Sequence, residues 1–419
     1  GINAEYGHNI TTKSENIAIK LDYSKCIGCN GCVRACQAQS INVYTQNEQK
    51  FYPPTIQTGD LMTSDCIFCG QCAVACPVGA IVQHPDVNQL KQAIQDKKEI
   101  IGLVAPATRF GIGEPFGFPG ENMAKGMIKI LKNKFGFSKV YDVNFGADET
   151  TLIDTEELLH AMKQGFPMFT SCCPAWVRLA ETKYPELIKN ISTAKSCVDM
   201  VGHMARKRHA DAFIVELMPC TAKKHELTKH KDIDCCITVA ELIALFKEND
   251  VKKEDFQDGI DFDAPFNVVS GGSYIFGRTG GVGENVLRQA CLLKGVEAYK
   301  VENEWVEDEL KYKQCTIGDM KVTLCVAHGG KQIDKAAQMV LAGTMKADVI
   351  EQMACPGGCQ NGGGMPKVAG ANKQQRAQGM DHADAQAEFK IAGQNKTLLS
   401  ENMAEEEVHH AYHTHFGKK

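Results

Sequence analysis

The 419-residue chain contains no run of about 18 uninterrupted apolar residues, which argues against a membrane-spanning helix. It also lacks a dominant charge. Lys and Arg number 46 against 51 Asp and Glu, and a net charge of −5 gives no reason to expect nucleic-acid or membrane-surface binding. The first residues, Gly1-Ile2-Asn3-Ala4-Glu5, show no basic stretch leading into an apolar core, so no secretory signal is expected in them. Hydrophobic content of 43% and charged content of 23% are ordinary for a globular protein, and the length allows one large domain plus a small accessory one. What the chain has in excess is cysteine, with 19 residues. Disulfide scaffolds are usually short and secreted, whereas closely spaced thiols in a long chain suit soft iron–sulfur units. A cytoplasmic location, or another reducing and anaerobic compartment, is therefore expected.

The first cysteines form an internal repeat. Cys26-Ile-Gly-Cys29-Asn-Gly-Cys32-Val-Arg-Ala-Cys36 is followed by Cys66-Ile-Phe-Cys69-Gly-Gln-Cys72-Ala-Val-Ala-Cys76-Pro77, both with the spacing C-x2-C-x2-C-x3-C. In this bacterial-ferredoxin pattern the fourth cysteine of each run ligates the other run's cluster. One 4Fe–4S cluster is thus expected on Cys26, Cys29, Cys32 and Cys76, and a second on Cys66, Cys69, Cys72 and Cys36. A structural zinc site takes four ligands, not eight in two quartets. Residues 1–86 are read as a small α+β ferredoxin-like domain. A helix over Val87–Lys98 leads away from it.

From there the chain alternates apolar runs with helical patterns, which predicts an α/β domain with largely parallel sheets over residues 87–419. Strands are expected at Glu99–Val104, Lys139–Asn144, Phe166–Phe169, Ala212–Leu217, Lys321–Ala327 and Asp348–Glu351. Helices are expected at Thr155–Lys163, Val239–Glu248 and Lys331–Met345. Three of these strands run into cysteines: Cys172-Cys173, Cys220, and Cys355 with Cys359. Open α/β sheets bind ligands at the carboxyl ends of their strands, so these cysteines are expected to meet in one crevice. Pro and Gly crowd the same turns and allow close backbone approach to a bulky inorganic group.

At these residues the chain resembles the FeFe hydrogenase family. The resemblance rests on Thr170-Ser-Cys-Cys-Pro-Ala-Trp176, Met218-Pro-Cys-Thr-Ala-Lys-Lys-His-Glu226 and Glu351-Gln-Met-Ala-Cys-Pro-Gly-Gly-Cys-Gln-Asn-Gly-Gly-Gly-Met-Pro366, together with the ferredoxin repeat. It implies an H-cluster, in which a 4Fe–4S cube is joined to a diiron unit carrying CO, cyanide and an azadithiolate bridge. The cube's ligands would be Cys173, Cys220, Cys355 and Cys359, with Cys359 bridging to the diiron unit. Cys172 would exchange protons with the bridging amine, and Lys223 would donate to a cyanide, leaving Lys224 as a solvated lysine. Ala105, Pro106, Met218, Phe276 and Met353 would line the diiron pocket. The proton relay would run outward from Cys172 through Glu157 and Ser192 to Asp154. Implied partners are a ferredoxin or flavodoxin as electron carrier and maturases that insert the diiron unit.

The sequence also departs from the family. Asp154 stands where many relatives carry Glu, Ala175 replaces a common Gly and Met365 a common Gln. Ser196-Cys197-Val198-Asp199 differs from a segment often reading Ser-Pro-Gln-Gln, and Arg278 occupies a position where a small residue is commoner. The ligand set is untouched. Cys197 is read as an extra thiol beside the active site or a buried substitute, the latter preferred, and Cys235, Cys236, Cys291, Cys315 and Cys325 as structural. His409, His410, His413 and His415 are read as surface or packing residues. Two other classes share part of this pattern. A low-turnover H2 sensor would lack an intact relay and carry an output module, and a hydrogenase-like iron–sulfur assembly factor would lack the diiron unit.

Overall fold

The computed structural model describes residues 10–367 and 373–400 and positions 413, 414 and 416. His409, His410 and His415 lie outside the described residues. Strands β1 (Lys13–Glu15), β2 (Ile19–Asp22), β3 (Tyr44–Thr45), β4 (Thr55–Ile56) and β5 (Ile81–Gln83) make two small antiparallel sheets, β1-β2-β5 and β3-β4. Two short helices, α1 (Gly31–Gln37) and α2 (Gln71–Ala75), carry cysteines of the two runs, and each follows a residue in the left-handed region, Asn30 or Gly70. This is the expected α+β ferredoxin-like arrangement. Helix α3 (Val87–Gln95) is shorter than expected, because Lys97 turns to φ +54° and breaks the helical path.

The rest of the chain builds two larger sheets. In order come β6 (Ile100–Val104), α4 (Ala124–Phe135), β7 (Lys139–Asp142), α5 (Asn144–Gln164), β8 (Met168–Phe169), α6 (Pro174–Lys183), α7 (Cys197–Arg208) and β9 (Phe213–Met218). Then follow α8 (Lys223–Glu226), β10 (Cys235–Thr238), α9 (Val239–Glu248), α10 (Gly271–Tyr274), α11 (Gly281–Leu293), β11 (Asn303–Glu307), β12 (Leu310–Ile317), β13 (Met320–His328), α12 (Gly330–Leu341) and β14 (Val349–Met353). One sheet is parallel throughout, in the order β10-β9-β6-β7. The other has the order β11-β12-β13-β14-β8, with β13, β14 and β8 parallel and β11 and β12 added as an antiparallel meander. Every residue of β6 and of β14 is buried, as strands covered on both faces require, and β14 buries Glu351 and Gln352 along with its apolar residues.

Two further features differ from the sequence expectation. The meander was not expected, because β11 and β12 mix apolar with charged residues on a half-buried edge instead of forming an apolar run. The strand expected to reach Asn144 stops at Asp142, where α5 takes over and runs for 21 residues. Its first turns bury Asp148, Thr150 and Thr151, which hides the apolar stripe that marks most helices. The hydroxyls of Thr150, Thr151 and Thr155 donate to carbonyls four residues earlier at 2.9, 2.8 and 2.6 Å, so their burial leaves no hydroxyl unpaired.

The small N-terminal unit shares a hydrophobic core with the larger one. Leu21, Val33 and Ile67 belong to the same buried cluster as Trp176, Tyr312 and Ile350. The seam also carries polar ties. Gln71 Nε2 donates to Asn361 O at 3.1 Å, Gln83 Nε2 to Gly363 O at 2.6 Å, and Thr221 Oγ1 to Phe68 O at 2.8 Å. At the other end of β6, Arg109 is buried and grips Asp142 with both terminal nitrogens, at 3.0 and 2.6 Å. That bidentate pair fixes the turn after β6 against the end of β7. Among the described residues, no helix is long and apolar enough to cross a membrane.

Candidate active site

Four strand ends meet between the two sheets. β6 runs into Ala105-Pro106, β8 into Cys172-Cys173, β9 into Pro219-Cys220, and β14 into Ala354-Cys355. They enclose a cavity of about 90 Å³ whose walls include Ala105, Pro106, Met218, Phe276 and Met353, all five of the expected pocket residues. Cys172, Cys173, Cys220, Cys355, Cys359 and Lys223 line the same cavity, as does Cys197. Gly358, at φ +92°, lies so close to the chain after Phe276 that a Cβ there would stand 2.7 Å from Gly277 O. Only glycine fits that approach.

The residues present suit iron–sulfur groups. No disulfide joins any of the 19 cysteines. Among the described residues, no three His, Cys, Asp or Glu side chains gather tightly enough for a single metal ion. Backbone N–H groups point at the sulfurs instead: Gly28, Val43, Phe68 and Ile81 donate to Cys26, Cys36, Cys66 and Cys76, each at 3.4 Å, and Ala354 to Cys173 at 3.5 Å. Such bonds stabilise thiolate charge and tune cluster potential. Burial pushes the thiols of Cys36 and Cys355 up, to about 11 and about 12, so iron binding must displace their protons.

Electrostatic neighbours trace a route through the cysteines. Cys26 interacts with Cys29 and Cys76, and Cys36 interacts with Cys66, so each run's fourth cysteine faces the other run's first. Cys72 interacts with Cys32, joining the two quartets. Cys69 interacts with Cys355 and also lines the active-site cavity. A Cβ on Gly363 would stand 2.4 Å from Cys69 O, so the backbone after Cys359 lies directly on the second quartet.

On the other side stands a set of acids. Asp154 is fully buried on α5 and accepts a hydrogen bond from Ser192 Oγ at 2.5 Å. Burial pushes its carboxyl up to about 7; the bond from Ser192 opposes that shift and the charge of Glu157 adds to it. Glu157, one turn on, is partly exposed and accepts from Thr193 N at 2.9 Å and from Thr193 Oγ1. Burial raises the Cys172 thiol well above its ordinary value, and Asp154 is among the charges that add to this.

The two acids are placed the other way round from the expected sequence of residues. Asp154 is the inner acid and Glu157 the outer, because α5 turns Asp154 into the core and leaves Glu157 at the rim. Lys224 also departs from expectation. It is 2% exposed and binds His84 O, Asp86 and Glu241 at 2.6, 2.7 and 2.9 Å. Lys223 does line the cavity, where Glu226 pairs with it. Burial pulls the Lys223 pKa down, but Glu226, Asp199 and Glu216 outweigh burial and hold the ammonium charged.

Thr193 went unread in the sequence, and His413, Cys197 and Glu226 were read without the contacts they make. Thr193 holds Glu157, and His413 Nδ1 lies 2.6 Å from Thr193 Oγ1, which puts His413 at the outer end of the acids instead of in a purely packing role. Cys197 borders the cavity and receives a contact from Thr150 Oγ1 at 3.4 Å. Glu226 closed a motif whose lysine drew the attention. Cys235, Cys236, Cys291, Cys315 and Cys325 are all buried, as expected.

Residues 98–363 match the iron only hydrogenase large subunit, C-terminal domain, and residues 25–80 match a 4Fe-4S dicluster domain. The NADP-reducing hydrogenase subunit HndD of Solidesulfovibrio fructosivorans is 32% identical, over 97% of this chain and 76% of that protein. The fold is similar to that of the FeFe-hydrogenase HydA1 from Chlamydomonas reinhardtii, with a TM-score of 0.68 and 26% identity over 80% of this chain and 100% of that one. A more distant relative is the cytosolic iron-sulfur assembly component 3 of Pongo abelii, 25% identical over 77% of this chain and 75% of its own length.

Proposed function

The chain belongs to the FeFe hydrogenase family, with an N-terminal ferredoxin-like cluster domain and with 4Fe–4S clusters and an H-cluster as cofactors, and from that premise we propose that it reversibly converts two protons and two electrons into H2. The observation that carries this reading is the meeting of Cys172, Lys223 and the four cube cysteines in one apolar cavity that Cys69 also touches.

The H-cluster, when bound, supplies the redox chemistry of hydrogen; the chain supplies ligation, a proton path and a dry enclosure. Cys173, Cys220, Cys355 and Cys359 would hold the cube, which would supply electrons to the diiron unit. Ala105, Pro106, Met218, Phe276 and Met353 exclude water around that unit. Cys172 passes protons between it and Asp154. Ser192 links Asp154 outward to the Thr193–Glu157 rim. Cys26, Cys29, Cys32 and Cys76 would hold one 4Fe–4S cluster and Cys66, Cys69, Cys72 and Cys36 a second, and these would supply electron transfer between an external ferredoxin or flavodoxin and the catalytic domain. Maturases deliver the diiron unit, and the division near residue 86 separates relay from catalytic domain.

The test is anaerobic turnover in both directions after diiron insertion: H2 evolution from a reduced dye and dye reduction under H2. Turnover in both directions supports the reading. Bound CO and cyanide infrared bands with negligible turnover identify a sensor, and their absence after maturation identifies an assembly factor of the kind the distant relative represents.

A further inference from the structure

Among the side chains that cross the seam between the two units, Gln71 reaches a cysteine of each. It opens α2, directly after Gly70 at φ +69°. A Cβ on Gly70 would stand 3.0 Å from Gly363 Cα, so the start of α2 lies against the segment that follows Cys355 and Cys359. The Gln71 amide enters that segment. Its Nε2 donates to Asn361 O at 3.1 Å, and Asn361 Nδ2 donates at 2.9 Å to the carbonyl of Pro356, the residue after Cys355.

An amide nitrogen carries two hydrogens. Asn361 O takes one, and the Gln71 side chain is also hydrogen-bonded to the Cys355 thiol. The backbone N–H of the same residue meets Cys69. Cys69 and Cys355 line one cavity and feel each other's charge. One residue therefore donates to two neighbouring sulfurs on opposite sides of the seam. Burial pushes the Cys355 thiol up to about 12, and the Gln71 amide acts against burial by favouring the charged sulfur. Cys173 and Cys220 are met by backbone N–H groups, among them those of Ala354 and Lys223, which no change of side chain removes.

A hydrogen bond to a cluster cysteine stabilises the negative charge added on reduction, and so raises the cluster's potential. We propose that Gln71 sets the reduction potential of the cube that Cys355 would help to hold, relative to the cluster on Cys69, so that the ferredoxin-like unit tunes the site it feeds. The proposal rests on the reading above, through the assignment of Cys173, Cys220, Cys355 and Cys359 to one cube. The passage it governs moves one electron between the two clusters. No proton is transferred, and no bond is made or broken.

The test is a redox titration of the full chain carrying its 4Fe–4S clusters but no diiron unit, followed by electron paramagnetic resonance. Gln71→Leu removes the amide and keeps the backbone N–H on Cys69. Loss of one hydrogen bond to a charged sulfur is expected to lower the cube's reduction equilibrium constant about tenfold, a downward shift of about 59 mV. The cluster on Cys69 is expected to move much less. Gln71→Glu replaces the donor by a negative charge and is expected to lower the cube further, whereas Gln71→Lys is expected to raise it. A side chain that only packs the seam would not make the midpoint follow the charge of its replacement. Coincident cube midpoints in the four proteins, or shifts that ignore charge, overturn the proposal. Signals from two clusters alone overturn the cube assignment and the proposal with it. Three clusters without turnover after diiron insertion overturn the catalytic reading instead, and the order of the midpoints still decides the tuning.

Discussion

Asp154→Asn separates the chemistry of the inner acid from its packing, since the two side chains have nearly the same shape. Burial pushes this carboxyl up to about 7 in the folded protein, from an ordinary value of 3.8. The folded state therefore holds a proton, from about pH 4 to about pH 7, that the unfolded chain has already lost. Its contribution to stability is fullest below the unfolded pKa and is lost as pH rises toward the folded one. At about 1.4 kcal/mol per unit, wild type loses on the order of 3 kcal/mol between pH 5 and pH 8 through this one group. The variant has no such loss, so its denaturation midpoint overtakes that of wild type as pH rises. Its turnover falls about a hundredfold or more, because an amide cannot shuttle protons between Ser192 and Cys172. Denaturant titrations at the two pH values and dye-coupled H2 assays read the two effects, with infrared bands confirming an intact H-cluster. Turnover within about twofold of wild type would remove Asp154 from the path. A variant that loses as much stability between pH 5 and pH 8 as wild type would show that the carboxyl is not raised.

Three further outcomes are expected. Cys172→Ala leaves iron content and CO bands intact and lowers turnover about a hundredfold or more, measured by H2 evolution from a reduced dye. Lys224→Met strands Asp86 and Glu241 at a buried site and costs about 3–5 kcal/mol, seen as a lower denaturant midpoint at unchanged iron content. Cys36→Ser disturbs the cluster held by Cys66, Cys69 and Cys72 and spares the one held by its own neighbours Cys26, Cys29 and Cys32. Electron paramagnetic resonance separates the two clusters, and loss of the other signal would refute the crossed ligation.

The chemistry was legible in sequence wherever it depends on local spacing. Two C-x2-C-x2-C-x3-C runs announce the relay, and a cysteine just beyond an apolar strand announces a sheet-edge site. The strand ends at Val104, Phe169, Met218 and Met353 fall within a few residues of expectation, because buried parallel strands are short apolar runs. The meander over 303–317 and the first turns of α5 escaped notice for the opposite reason. One strand edge is half charged, and one helix face buries threonines that satisfy themselves on its own carbonyls.

The sequence by itself determined which atoms can hold iron, since ligand type and spacing are properties of the chain alone. The tertiary structure decided what lies next to what. Cys69 adjoins Cys355 because the small unit shares its core with the large one, and that contact sets where the relay meets the active site. Asp154 and Glu157 stand three residues apart on one helix, and the sequence pattern does not say which of them faces inward. Packing buries one and leaves the other at the rim, and desolvation of the buried one, opposed by the bond from Ser192, brings it near neutrality. Lys223 and Lys224 are likewise adjacent and chemically identical; one faces the active-site cavity and the other closes the seam at Asp86. Burial and partners are assigned by the folded surface around a residue, and two like residues side by side acquire different roles only there.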